Sequence, residues 1–137
     1  FERVPVRTGS EEYLDSEKYE TKRRHLDGPL LDMVGALNAI RRSQPSLRRI
    51  GPLRFLETEN DELIAYAKGT GARTVVCVVN LDPSSRQVGL IHLPPETGLT
   101  ERFAVTDLLS SAIYDWRVGG NYVALNPGAA HVMAIRP

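Results

Sequence analysis

Cysteine is nearly absent: the chain of 137 residues holds Cys77 alone. No internal disulfide can form, so a core must come from burial rather than from covalent staples. Cys77 lies in "TVVCVV", where a small buried thiol is the expected role. Charge of one sign is lacking too, since seventeen Lys and Arg balance seventeen Asp and Glu. A polyanion partner demands a basic surplus, so no nucleic-acid partner is expected. No apolar run approaches the ~20 residues that span a bilayer, and no membrane partner is expected. There is no signal-peptide pattern and no Asn-x-Ser/Thr acceptor, which makes a cytoplasmic location the expectation. His25, His92 and His131 show no metal-ligand spacing with one another or with Cys77, so neither metal nor cofactor is expected. Repeats and low-complexity tracts are missing. The chain opens on "FERVPV", without methionine, and reads as a portion of a longer product.

What is present divides in two. Residues 1–28 are polar and irregular. Their most unusual stretch is "GSEEYLDSEKYE", in which five of the ten residues from Glu11 to Glu20 are acidic. A helix over 11–19 would have no continuous apolar stripe. An amphipathic helix follows, capped by Asp27 or Gly28, with Pro29 in its first turn and Pro45 ending it. Leu30, Met33, Val34, Leu37 and Ile40 form one broad apolar stripe that something must cover. If that stripe is exposed, it favours self-association, and a homodimer is one form this allows.

From Pro52 the period changes to two. Residues 53–67 read as a hairpin turning at Glu59-Asn60-Asp61. "KGTGAR" is a turn whose Gly69 and Gly71 supply positive φ. Thr74–Val79 is a β-branched run, read as a central strand covered on both faces. Gln87–Leu93 alternates again, Phe103 and Val105 mark another strand, and Ala130–Ile135 is the last. Ile113–Val118 and Asn121–Leu125 flank Gly119-Gly120, read as a two-residue hairpin turn. Seven or eight short strands at this spacing indicate an antiparallel β-sandwich. The fold class is therefore mainly β: a sandwich preceded by an irregular acidic segment and one amphipathic helix.

The chemistry is sparse. Retaining glycosidases place two carboxyl groups about 5–5.5 Å apart on either side of one bond. Glu11, Glu12, Asp15, Glu17 and Glu20 share a single short segment, so a solvated face suits them better. Turn and strand-edge roles explain Asp107 and Asp115, and His131 fits a structural role in its strand. Ser84-Ser85 and Ser110-Ser111 sit in turns with no histidine nearby in sequence. "GTG" at 69–71 joins strand to strand and lacks the helix N-terminus of a phosphate loop. Tyr114, Trp116 and Tyr122 read as cross-strand packing, with a sugar-stacking platform as the alternative. Lys18 and Tyr19, on spacing alone, are surface charge balance.

The order "GSEEYLDSEKYE", "LNAIRRSQPSLRR", "VVNLDP" and "DLLSSAIYDWRVGGNYVAL" resembles the alpha-1,4-glucan:maltose-1-phosphate maltosyltransferases of the alpha-amylase superfamily. The resemblance covers essentially the whole chain. It implies that residues 1–50 are the C-terminal end of a catalytic β/α barrel, its substrate-side loop and last helix. Residues 51–137 would be the C-terminal β-sandwich. Ser46 stands where the superfamily's "R-R/K-x-x-P-A-L" has alanine. The family transfers maltosyl from maltose 1-phosphate to the non-reducing end of α-1,4-glucans, with retention. By resemblance, Lys18 and Tyr19 contact the maltosyl unit as substrate-binding residues. The catalytic carboxylates would lie in an upstream barrel domain, so no catalytic residue is expected here and the segment alone is expected to be inactive. Two alternatives stand beside this one: a stand-alone carbohydrate-binding or interaction module, and the C-terminal part of another superfamily enzyme such as a trehalose synthase or an amylase.

Overall fold

A computed structural model of the chain describes residues 4–12, 23 and 27–136. These fall into two compact units, Phe1–Asn38 and Ala39–Pro137. Most of the acidic stretch, including Lys18, Tyr19 and the 11–19 helix considered above, lies outside the described residues.

In the first unit, Gly9 at φ 76° turns the chain. Across that turn the Val6 N–H donates to the Glu12 carbonyl at 2.8 Å. Helix α1 spans Leu31–Ser43 and crosses from the first unit into the second. It starts later than expected, because Pro29 and Leu30 form the turn before it. Asp32 at its start and Arg41 and Arg42 at its end both suit the helix dipole. Among the apolar stripe only Ile40 is buried; Leu30, Met33, Val34 and Leu37 remain exposed.

The second unit is an antiparallel β structure. Its strands are β1 (Leu53–Thr58), β2 (Leu63–Lys68), β3 (Val75–Asn80), β4 (Gln87–Leu93), β5 (Arg102–Asp107), β6 (Ile113–Arg117), β7 (Gly119–Leu125) and β8 (Ala130–Ile135). Their order is β6-β5-β8-β3-β2-β1-β4-β7. Strand β1 joins two ladders: Leu53–Leu56 pair with β2, and Glu57 and Thr58 pair with β4. The chain of pairings therefore folds over at β1, giving two faces that enclose a core.

That core follows the period of two. Leu63, Ala65 and Ala67 of β2 point inward with Val76 and Val78 of β3 and Ile91 of β4. Each fully buried valine or isoleucine contributes about 1.5–3 kcal/mol relative to exposure. On β1 the inward residue is Leu56, whereas Leu53 and Phe55 occupy the exposed face. Strand β3 is central and covered on both sides as expected, since Val75 and Cys77 pack under Ile40 and Val132 in a second, smaller cluster. At the β2–β3 turn Gly69 has φ 96°, and a Cβ there would lie 2.6 Å from the Arg73 carbonyl oxygen. Only glycine fits. The hydroxyl of Ser46 donates to that same carbonyl.

One turn differs from expectation. Gly119-Gly120 does not close a two-residue hairpin. Strand β6 pairs with β5 and β7 pairs with β4, so the two stand at opposite ends of the strand order. The reason is Asn121. Its Oδ1 accepts the Arg117 N–H at 2.8 Å, and its Nδ2 donates to the carbonyls of Arg117 at 2.8 Å and Gly119 at 3.0 Å. A side-chain amide thus satisfies the backbone that a hairpin partner would have satisfied. The chain turns a corner between ladders, with Gly119 at φ 102°.

Candidate functional site

The residues singled out by sequence do not converge on one centre. Lys18, Tyr19 and His25 lie outside the described residues. His92 Nε2 meets Glu59 Oε1 at 2.9 Å on the surface. Among the described residues, no three of His, Cys, Asp and Glu are grouped to hold a metal ion.

The "NLDP" motif is a structural knot. Asn80 is buried, and its Nδ2 donates to the carbonyls of Ser85 at 2.9 Å and Asn126 at 2.9 Å. Its Oδ1 accepts the Asp82 N–H at 2.9 Å. Asp82 in turn accepts from the backbone of Ser84 and Ser85 and from Gln87 Nε2. The Ser84 N–H, first among these donors, holds the Asp82 carboxyl below the usual carboxylate range. The motif ties the end of β3 to the start of β4 and to the β7–β8 turn. Ser84 and Ser85 serve that turn.

Asp107 collects a second cluster at the end of β5. Its Oδ2 accepts the Ser110 hydroxyl at 2.6 Å and lies 3.0 Å from His131 Nδ1. Its Oδ1 accepts the N–H groups of Val132 at 3.1 Å and Leu109 at 3.2 Å. Burial alone would raise this carboxyl's pKa, but the four hydrogen-bond partners, Ser110 foremost, outweigh burial and lower it. Serine, histidine and aspartate are all here, yet they are not a nucleophilic triad. Such a triad needs histidine between serine and aspartate. Here the carboxylate sits in the middle, and His131 meets Asp107 rather than Ser110.

A cleft of about 460 Å³ opens beside the Asn121 corner. Arg102 and Phe103 of β5, Tyr114–Arg117 of β6 and Gly120–Tyr122 of β7 line it. Trp116 is buried at 5% exposure, while Tyr114 at 39% and Tyr122 at 63% show their rings to solvent. The expected cross-strand packing therefore holds for Trp116 and in part for Tyr114, whose ring meets His131 edge-on, whereas Tyr122 is not on the ladder partner of β6. Sequence reasoning did not include Arg102, Arg117 or Asn121, because what brings them together is strand register and a corner.

The family described as GLGE, C-terminal, matches residues 55–135. Alpha-1,4-glucan:maltose-1-phosphate maltosyltransferase 2 of Streptomyces coelicolor is 44% identical, over 98% of this chain and 22% of the relative. The maltosyltransferase of Picrophilus torridus is 41% identical, over 93% of this chain and 21% of the relative. The chain thus spans about a fifth of the length of the curated relatives it matches. Among solved structures, an Anoxybacillus alpha-amylase superposes with TM-score 0.63 at 26% identity, over 81% of this chain and 23% of that one. The acarbose complex of a Geobacillus thermoleovorans alpha-amylase gives TM-score 0.67 at 19% identity, over 86% and 25%.

Proposed function

The chain belongs to the family of GLGE C-terminal domains, and from that membership we propose that it is the C-terminal part of a retaining maltosyltransferase. The intact enzyme moves maltosyl from maltose 1-phosphate to the non-reducing end of an α-1,4-glucan. The observation that carries this reading is the 44% identity to a named maltosyltransferase over 98% of this chain. It extends through the N-terminal segment as well as the β-sandwich.

In this reading residues 1–50 complete an upstream β/α barrel, and residues 51–137 are the sandwich behind it. The exposed stripe of α1 then has its cover in the barrel. An aspartate nucleophile, a glutamate acid and base and a sugar-holding aspartate all belong to that upstream part. This chain's contribution to the donor pocket is Lys18 and Tyr19. An ammonium offers three donors to sugar hydroxyls, and a phenol offers a ring face and a hydroxyl. The neighbouring carboxylates fix the loop on which the pair stands. A lone buried thiol with no disulfide partner in the chain fits a reducing, cytoplasmic setting.

Two assays test the reading. The 137-residue chain alone should release no phosphate from maltose 1-phosphate and glycogen; release would place the chemistry here after all. In the intact enzyme, Lys18→Ala should lower kcat/KM for the donor by about ten- to a hundredfold, the loss of a charged hydrogen bond. Unchanged kinetics would remove Lys18 from the donor pocket.

A further inference from the structure

Strands β6 and β7 are the outermost strands of the order, yet only Val118 separates them in the chain. They meet at a corner without a ladder, and the cleft of about 460 Å³ occupies the gap. We propose that this cleft binds an α-glucan chain along the edge of β6, with the ring of Tyr122 against a sugar face, with Asp115, Arg117 and Arg102 on the hydroxyls, and with Tyr114 bounding the opposite face of that edge. The identity of the sugar rests on the maltosyltransferase reading; the cleft's chemistry does not.

Four features converge. Tyr122 is a large, exposed aromatic on β7 between Asn121 and Val123, both buried, so its backbone is fixed while its ring is free. Tyr114 is held edge-on against His131, ring centres 5.8 Å apart, and is still partly open. Sugar C–H faces are weakly positive and aromatic faces negative, so the Tyr122 ring attracts them.

Next, the polar groups come in both senses. A hydroxyl is at once donor and acceptor, and guanidinium and carboxylate supply the matching halves. Arg117 Nε is already steered by the Gly120 carbonyl at 3.3 Å. A site for a phosphate would be expected to exclude Asp115 from its wall.

Third, Arg102 and Arg117 are directly opposite in register. Like charges so placed cost stability in the sheet. A ligand that accepts hydrogen bonds from both offsets that cost.

Fourth, among the described residues no strand pairs with the outer edge of β6. The Asn121 side chain takes both backbone groups of Arg117, which marks Arg102–Arg117 as a pair whose backbone groups point away from each other. Pairs alternate in an antiparallel ladder. The Asp115 N–H and carbonyl therefore also turn outward, toward the cleft. The volume lies within the roughly 300–1,000 Å³ of small-molecule sites.

The test is native gel electrophoresis of the intact polypeptide through a matrix containing soluble glycogen, compared with Tyr122→Ala and Asp115→Asn. Both positions are exposed, so unchanged thermal midpoints certify the fold. The wild-type protein should be retarded, and each variant should bind about tenfold more weakly. Retardation equal in all three proteins would overturn the proposal. So would retardation that collapses with added salt, the mark of a charge-driven anion site. A protein that transfers no maltosyl but shows tyrosine-dependent retardation would sink the maltosyltransferase reading and leave the cleft standing.

Discussion

Asp107 is 1% exposed, and both of its carboxylate oxygens are occupied. A buried charge persists only when its partners offset lost hydration. Burial raises its pKa and hydrogen bonds lower it; the lowering wins. The sign of the pH effect follows. A carboxyl whose folded pKa lies below its unfolded value of about 3.9 stabilises the fold fully above that value. The stabilisation is lost as pH falls through the folded pKa. Asp107→Asn should cost about 2 kcal/mol near neutrality, since an amide turns donors toward Ser110 or the Val132 and Leu109 N–H groups. The gap between variant and wild type should narrow below about pH 4. Urea unfolding at the two pH values measures this, and a gap independent of pH would show that the carboxylate's charge is not what matters. Sequence placed Asp107 in a turn. Its burial was hidden, because Val132 and His131, two of its four partners, lie on a strand remote in the chain.

At the scale of elements, alternation revealed most strands, because one face of a sandwich strand is wet and the other dry. Strand β4 is a clear case: Ile91 and Leu93 are buried while Val88 is exposed. The Gly119-Gly120 corner was misread for an equally physical reason. Two glycines between apolar runs allow a hairpin, but they do not say what satisfies the flanking backbone. Asn121 does so here. Asn121→Ala should therefore destabilise by about 2–4 kcal/mol, because a buried side chain with three backbone hydrogen bonds is removed. The denaturant midpoint should fall with little change in slope. A loss below about 0.5 kcal/mol, typical of a surface substitution, would mean that the corner holds without it.

For the molecule as a whole, stability should be graded along the strand order. Strand β3 has neighbours on both edges and apolar cover on both faces. Among the described residues strand β6 pairs with β5 alone. Hydrogen exchange should leave the Val78 amide protected by about a thousandfold or more over that of Asp115. Equal protection would contradict the pairing. At this scale the sandwich was legible, whereas the cleft was legible only through Tyr114, Trp116 and Tyr122, read from sequence as the alternative of a sugar-stacking platform. It is made by residues on three strands whose closeness depends on where β1 folds the pairing over. Lys18 and Tyr19 came into view through likeness to a family, since nothing in their spacing separates a sugar contact from ordinary surface charge.

Strand β8 lies between β3 and β5, although it is the last strand in this chain. During synthesis the β5–β6 ribbon must wait, unattached to the rest of the sheet, until residues 130–135 have left the ribosome. Polypeptides cut short before Ala130 would display one unpaired edge on β3 and one on β5, a sticky product suited to capture by chaperones and disposal by proteases.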